Sequence, residues 1–553
     1  MIKPILFSII LLLIHVNLVA QSSLDFDAKK VTDLLYQFAK DDTPGMAVGI
    51  VSDGQIVYEK YLGYANMEHQ VKVNERTRFN IASNAKQFTA LCILILVEEG
   101  KLSLEDDIRT YLPNLYKDIE EPITVSQLIT HTSGVRDYCN LLALTSKTWW
   151  KQFIDNGDAM DLILGQTDLN FAPGSEFMYS NSNYIIMTEI IKQVSGMEFS
   201  AYAKDLFVKL GMNSTEFLSN YMAIVPNKAR PYGNWGSWSE EPIITEVHGD
   251  GALYTNLGDQ LSWEQIVQVN DGSILVKESI EESQRPLASS IDNSYGYGLE
   301  FGRYGGLDFT FHNGSTAAYN ATFLRFPSKK VSIVIMSNNR SVPTNYLAQL
   351  IADYILKLPS DSAPYPFMPD VVEAVKDKQV LLGVYQSQVD ESIIKVVERE
   401  GDLYREIYRG EAVKLIQEDG GQFKYEQRSS RINFTNIGKE NQGFTFYLAG
   451  LKPEPYRKIT SSDLADFDRK EIRGIFYNPE TKTEITIDFV DGDTYSISKN
   501  GRVRDAQLIL ADHLRMGSYL IKVIRNDQYK VVGLNVRNDR IKNVMFTKKR
   551  ASS

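Results

Sequence analysis

A proline-rich stretch, Leu358-Pro359-Ser360-Asp361-Ser362-Ala363-Pro364-Tyr365-Pro366, divides this 553-residue chain into two parts with different periodicities. Proline fixes φ and removes a backbone donor, so a stretch this rich in it reads as a linker, neither helix nor sheet. Before it, apolar residues recur at both helical and strand spacings. After it, helical spacing nearly vanishes, and short alternating runs punctuated by Gly and Asp take over. That tail is duplicated. Gly383-Val384-Tyr385 is followed by Gly401-Asp402-Leu403-Tyr404, and Gly474-Ile475-Phe476 at the same interval by Gly492-Asp493-Thr494-Tyr495; the copies are offset by 91 residues. A duplicated strand-rich unit of this length predicts two small antiparallel β-barrel-like domains, about eight short strands each, over 372–460 and 461–553.

The first part predicts an α+β sandwich over 21–357, joined to the tail by a linker at 358–371. A helix is expected from Asp25 to Lys40. Met46 to Val51 and Gln55 to Tyr61 flank Asp53-Gly54, a hairpin signal. Phe88 to Glu99 is apolar with helical period and stops at Gly100, a natural helix end. Leu307 to His312, Ala321 to Phe326 and Val331 to Met336 read as strands of one antiparallel sheet, and Leu347 to Leu356 as a closing helix. Helices gathered around such a sheet differ from a repeated βαβ pattern.

Residues 1–20 stand apart. Lys3 precedes an apolar run from Ile5 to Val16, and Leu18-Val19-Ala20 offers a cleavage site before Gln21. This is the pattern of a secretory signal peptide, too short to span a bilayer, so the chain is expected to be exported, periplasmic or secreted, with no membrane insertion after signal removal. The net charge of −11, with no basic run beyond Lys548-Lys549-Arg550, argues against nucleic acid as a partner. The partner expected is a small-molecule or peptide substrate. Two cysteines, Cys92 in a helix and Cys139 in a loop, make no disulfide framework and are expected as free thiols. The six histidines show no ligand spacing, so neither a metal nor another cofactor is expected.

The chemistry concentrates in three short motifs. Ser83-Asn84-Ala85-Lys86 follows an expected strand, Thr77 to Ile81, and opens a helix. Three residues apart on a helix, Ser83 and Lys86 share one face. The helix N-terminus favours the anionic forms of a nucleophile and of an oxyanion. Apolar surroundings disfavour the charged form of Lys86, which suits a base. The same Ser-x-x-Lys spacing at Ser392–Lys395 and Ser496–Lys499 lies in extended, strand-like sequence and is discounted. Tyr179-Ser180-Asn181 follows Pro173-Gly174 and precedes an amphipathic helix. Tyr179 between Ser83 and Lys86 would relay protons to a leaving group, and Asn181 would hold the lysine and a substrate amide. His312-Asn313-Gly314-Ser315 is expected at a strand end. Gly314 lets a substrate backbone approach, and the N–H groups of Ser83 and Ser315 would form an oxyanion hole.

Taken together and in this order, the motifs resemble the serine β-lactamase and penicillin-binding-protein superfamily, in its class C-like branch. Leu128-Ile129-Thr130-His131-Thr132-Ser133-Gly134-Val135, Asn183-Tyr184, Ser195-Gly196, Leu210-Gly211-Met212 and Asp250-Gly251-Ala252 extend the resemblance over residues 24 to about 357. It implies a β-lactamase/transpeptidase-like fold and a serine acyl hydrolase that works through an acyl-enzyme on Ser83. Lys86 and Tyr179 would be catalytic; Asn181, His312, Gly314 and Ser315 would bind substrate. Lys86 is either the base itself or the group that readies Tyr179 for that task. His131, Ser133 and Asp250-Gly251 would be structural. Where class C β-lactamases carry Lys-Thr-Gly this chain has His312-Asn313-Gly314, which resembles the D,D-peptidase and D-aminopeptidase side of the branch. The tail resembles the barrels that follow D-aminopeptidase catalytic domains and lipocalin-like extensions. Three readings follow: a peptidase or amidase on D-amino-acid or peptidoglycan-like substrates, a carboxylesterase or β-lactamase of the same fold, and an inactive ligand-binding sensor.

Overall fold

Asp53 and Gly54 both take left-handed backbone, with φ of 48° and 74°, and so close a two-residue turn between β1 (Met46–Ser52) and β2 (Gln55–Leu62). From this hairpin the rest of the sheet is assembled by residues far along the chain. The computed structural model describes residues 24–549 except 146, 148–151, 271, 273–275, 290, 292–293, 359–372, 390–391, 407–411, 427–429, 448–452, 460–467 and 500. The expected signal peptide and most of the expected linker lie outside the described residues. The remaining strands are β3 (Tyr295–Gly296), β4 (Leu299–Tyr304), β5 (Leu307–Thr316), β6 (Tyr319–Phe326) and β7 (Val331–Ser337). They form one antiparallel sheet in the order β3-β4-β5-β6-β7-β1-β2.

Every residue of β1 is buried, which requires cover on both faces. Met46, Val48 and Ile50 point to one side, against α1 (Ala28–Leu35) and α6 (Thr344–Ile355). The other side packs on α2 (Lys86–Glu98), α3 (Tyr138–Leu144), α4 (Asn181–Ser195) and α5 (Leu257–Val269), among other helices. A Cβ at Gly49 would come within 2.6 Å of a Leu261 methyl, so a larger residue there would require that side chain to shift. Helix α1 is shorter than the expected Asp25–Lys40, since Asp27 caps it and the chain turns out after Leu35. Cys139 sits on α3, not in a loop, and both cysteines are free thiols. Gly100, at φ 68°, follows α2 as the sequence pattern suggested.

The tail forms two closed eight-stranded antiparallel barrels, with strands from Gly383–Ser387 to Glu454–Lys458 and from Gly474–Asn478 to Val544–Lys548. The repeated residues do the same work in both. Gly383 and Gly474 open the first strand at φ 142° and 148°, each against the lysine of the last strand, Lys458 or Lys548. Those lysines donate to equivalent carbonyls, Val380 O at 2.6 Å and Glu471 O at 3.1 Å. Ahead of each barrel a short 3-10 turn is capped by Asp377 or Asp468. Gly401 and Gly492 turn the chain between the second and third strands. Buried side chains fill the interiors: Tyr385, Phe423, Phe434 and Phe444 in the first, Phe476, Tyr495, Leu514 and Phe546 in the second. Among the described residues no helix is long and apolar enough to cross a membrane.

Candidate active site

The expected strand before Ser83 shrinks to Phe79–Asn80, which pairs with Tyr254–Thr255. Asn80 Oδ1 then accepts from the Ala82 N–H at 2.8 Å, and Ala82 takes left-handed backbone at φ 47°. That turn opens a 3-10 segment, Ala82–Ala85, which runs into α2. An alanine at positive φ costs energy, and packing around the turn has to hold it there. Asn84 helps by donating to Ala321 O on β6 at 3.2 Å. Strand β5 also presses on the turn. A Cβ on Gly314 would collide with Ile81 O and lie 3.1 Å from the Ser83 nitrogen, so the glycine allows the strand to pass the Ser83 N–H.

Lys86, the first residue of α2, is fully buried. Its Nζ lies within hydrogen-bond distance of three oxygens: Ser83 Oγ at 3.2 Å, Asn181 Oδ1 at 2.9 Å and Asp250 O at 2.6 Å. Ser83, Lys86 and Asn181 are therefore brought together as the motifs suggested. Asp250 does more than turn the chain, because its carbonyl supplies one of the three oxygens. Its carboxyl receives Tyr138 Oη–H at 3.0 Å, and burial raises its pKa above the ordinary aspartate value.

Tyr179 precedes α4, whose first amide, Asn181 N–H, donates to Asp137 Oδ2 at 2.7 Å. Its ring lies 4.2 Å from that of His131 and 5.1 Å from Lys86 Nζ. The hydroxyl is buried and has no hydrogen-bond partner, so the expected relay from Ser83 through Tyr179 to Lys86 is not closed. His131 Nδ1 accepts from the Ser180 N–H at 3.2 Å. Burial first, and the nearby cation of Lys86 second, push its pKa well below the ordinary histidine value.

His312-Asn313-Gly314-Ser315 lies within β5 and not at its end, because the strand continues to Thr316 against β6. His312 Nδ1 is 2.8 Å from Asn313 O, which only accepts, so Nδ1 carries the proton and Nε2 accepts from Tyr295 Oη at 3.2 Å. Burial and Lys86 bring its pKa down to about 3. His312 is thus a neutral hydrogen-bonding group with both nitrogens engaged. Asn313 turns to the other face, where its Oδ1 accepts from Thr322 Oγ1 at 2.9 Å. Ser315 is exposed in the cleft.

Ser83, Tyr179, Asn181, His312, Gly314 and Ser315 all line one open cleft of about 2260 Å³. Its outer wall includes Tyr404 and Lys414 of the first barrel, while Arg540 enters from the second. The Arg540 guanidinium stands 4.8 Å from the centre of the Tyr179 ring. Its loop is held by main-chain bonds from the first domain: Arg540 O accepts from Asn170 Nδ2 at 3.1 Å and from the Asp137 N–H at 3.4 Å. Beside it, fully buried Arg136 donates to Glu480 Oε2, Lys542 O and Asn543 O at 2.8, 3.0 and 3.0 Å. The motifs gave no hint of Arg540, Arg136, Asp137 or Tyr295. One signal for Arg540 was present. With the copies aligned on Lys458 and Lys548, Leu448-Ala449-Gly450 stands against Asn538-Asp539-Arg540, a divergence in sequence.

Residues 31–355 match the family model described as Beta-lactamase, more than half of the chain. The chain belongs to the beta-lactamase family. It is similar to Protein flp of Staphylococcus aureus (strain MRSA252), 28% identical over 339 residues, which are 58% of this chain and 64% of that relative's length. Penicillin-binding protein 4* of Bacillus subtilis (strain 168) is 25% identical over 433 residues, covering 73% of this chain and 93% of that protein. Among solved structures, the octameric penicillin-binding protein homologue from Pyrococcus abyssi shares the fold, with a TM-score of 0.58 at 23% identity. That match covers 78% of this chain and all of the other. The beta-lactamase-like fold followed by two eight-stranded barrels accords with the architecture expected from the sequence. The expectation of a serine-hydrolase-type scaffold holds at the level of the family.

Proposed function

We propose that the protein is an exported serine acyl hydrolase that forms an acyl-enzyme on Ser83, acting as a peptidase or amidase on D-amino-acid or peptidoglycan-like substrates. The observation that carries this reading is the buried contact of Lys86 Nζ with both Ser83 Oγ and Asn181 Oδ1 at the floor of an open cleft. Ser83 Oγ attacks the substrate carbonyl carbon, and its proton passes to the Lys86–Tyr179 pair, taken up either by Lys86 as the neutral amine or by Tyr179 as the phenolate. The tetrahedral oxyanion is stabilised by the Ser83 and Ser315 N–H groups. The C–N bond breaks as the leaving amine takes a proton, and water then attacks the ester and restores Ser83. The Tyr179 hydroxyl, buried and without a partner in the free site, is the group we assign to meet the leaving nitrogen once substrate binds. The similarity to penicillin-binding protein 4* supports a peptide-like substrate.

Intact-protein mass spectrometry after exposure to a fluorophosphonate tests the nucleophile. One adduct on Ser83 is expected in the wild type and none in Ser83→Ala, which should fold normally; acyl hydrolysis retained by Ser83→Ala would sink the mechanism. A stable penicilloyl adduct would point to peptidoglycan-like substrates, and no adduct from either probe on folded protein would favour the sensor reading. A carboxylesterase is the second reading. It is favoured by the neutral His312, which offers no cation to a substrate carboxylate, and rates on esters against D-peptides separate the two. Export rests on residues 1–20 and is tested by a mature N-terminus at Gln21 in the exported fraction.

A further inference from the structure

The third motif supplies no positive charge, since His312 is neutral with both nitrogens engaged and Lys86 is occupied below the nucleophile. The cleft nevertheless contains cations. Arg303 pairs with Asp308 at 3.1 Å, Arg340 Nε with Glu241 at 2.7 Å, and Lys414 with Asp402 at 2.5 Å. Among the described residues lining the cleft, Arg540 differs: its nearest carboxylate, Asp539, is 3.9 Å away, too far for a hydrogen bond. Asp137, the other acid near it, places its negative charge beside the guanidinium, but its oxygens accept from the N–H groups of Asn181 and Asn140. The guanidinium is thus oriented over Tyr179, held by its main chain, one-third exposed to the cleft, and its planar fork of donors remains available.

We infer that Arg540, carried into the active site by the second barrel, is the specificity residue that binds a free carboxylate of the substrate, close to the scissile bond. This deepens the peptidase reading and rests on it. A planar fork matches a carboxylate bidentately, and Tyr179 under the guanidinium limits its rotation, so less conformational freedom is lost on binding. The substrate class is then a peptide with a free C-terminal carboxylate, in preference to a neutral ester or amide. In this account the role of a cationic third motif has passed to a residue that lies outside the family-matched segment, 31–355.

The test compares N-acetyl-D-alanyl-D-alanine with its C-terminal amide, as the ratio of their kcat/KM values, in full-length wild type, Arg540→Met and Arg540→Lys. Wild type should prefer the free acid. The ratio should fall by about tenfold to a hundredfold in Arg540→Met, the worth of a charge-assisted bidentate contact, with Arg540→Lys in between. A ratio unchanged in Arg540→Met, or both substrates falling together, overturns the assignment, because either result gives Arg540 a role only in the protein's own packing. If wild type cleaves neither peptide, the D-peptide reading fails by itself. Arg540 is then decided by N-acetyl-D-alanine slowing fluorophosphonate labelling of Ser83. Slowing in wild type but not in Arg540→Met supports the carboxylate site, and equal behaviour of the two proteins overturns it.

Discussion

The two barrels are copies of one design, yet they relate to the active site in different ways. Their first strands, capped turns and strand-closing lysines superimpose residue for residue in role. The first barrel has a core of its own and gives only an outer wall to the cleft. The second shares its core with Leu141 and Leu144 of α3, receives Arg136 through Glu480, Lys542 and Asn543, and carries Arg540 to Tyr179. Duplication therefore preserved what closes a barrel, while the loops and one face were left to diverge. In the second copy that divergence built part of the cleft wall beside Tyr179.

The largest effect that would break this comparison comes from opening equivalent cores. Phe434→Ala in the first barrel and Phe546→Ala in the second should each cost their barrel about 3–5 kcal/mol, since both rings are buried in the barrel interiors. Thermal unfolding followed with fluorophosphonate labelling should show Ser83 reactivity lost with the second barrel and kept after loss of the first. Equal loss from both would remove the distinction. Arg136→Met comes next. It removes the donor to Glu480 Oε2 and to two carbonyls at a buried interface, while Glu480 Oε1 keeps Thr167, and denaturant unfolding should show a loss of about 3 kcal/mol.

A smaller, symmetric effect sharpens the likeness. Gly383→Ala and Gly474→Ala each force a Cβ onto positive φ and against a lysine side chain, so each should cost about 1–3 kcal/mol and by similar amounts. A large inequality in melting temperature would mean that the two strand openings are not equivalent. The smallest effect is a pH dependence at the second barrel's contact with α3. Lys499 donates to Ala143 O of α3 at 2.6 Å, and burial, aided by Arg504 and Arg502, lowers its pKa to about 8. The folded state therefore binds fewer protons than the unfolded one between about pH 8 and the ordinary lysine value. Stability should rise with pH through that window and be lower below it. Lys499→Met should flatten this slope in melting temperatures measured from pH 7.5 to 10.

Spacing along the chain carried the local half of the structure. Asp53-Gly54 defined the first hairpin because only a few residues accept two successive left-handed positions. Ser83 and Lys86 met because three residues on one helical turn share a face, whatever surrounds them. The barrels were legible because a duplicated pattern of glycines and alternating apolar residues has few other solutions. The expected strand at Thr77–Ile81 contracted, since the side chain of Asn80 bends the chain into the Ala82 turn instead of leaving it extended.

Contacts between distant residues decided the rest. Asp250 holds Lys86 by a main-chain carbonyl, which any residue type possesses and no motif can mark. His312 stands where class C β-lactamases carry a lysine, and burial beside Lys86, with Tyr295 on one nitrogen, keeps it neutral. Arg540 reads as an ordinary polar turn residue until the fold sets it over Tyr179. The chain by itself thus determined which polar groups the short motifs bring together and that two barrels follow. Only the tertiary structure decided their charge states and which barrel completes the cleft, because burial and electrostatic neighbourhood are properties of the packed molecule and leave no local pattern in the sequence.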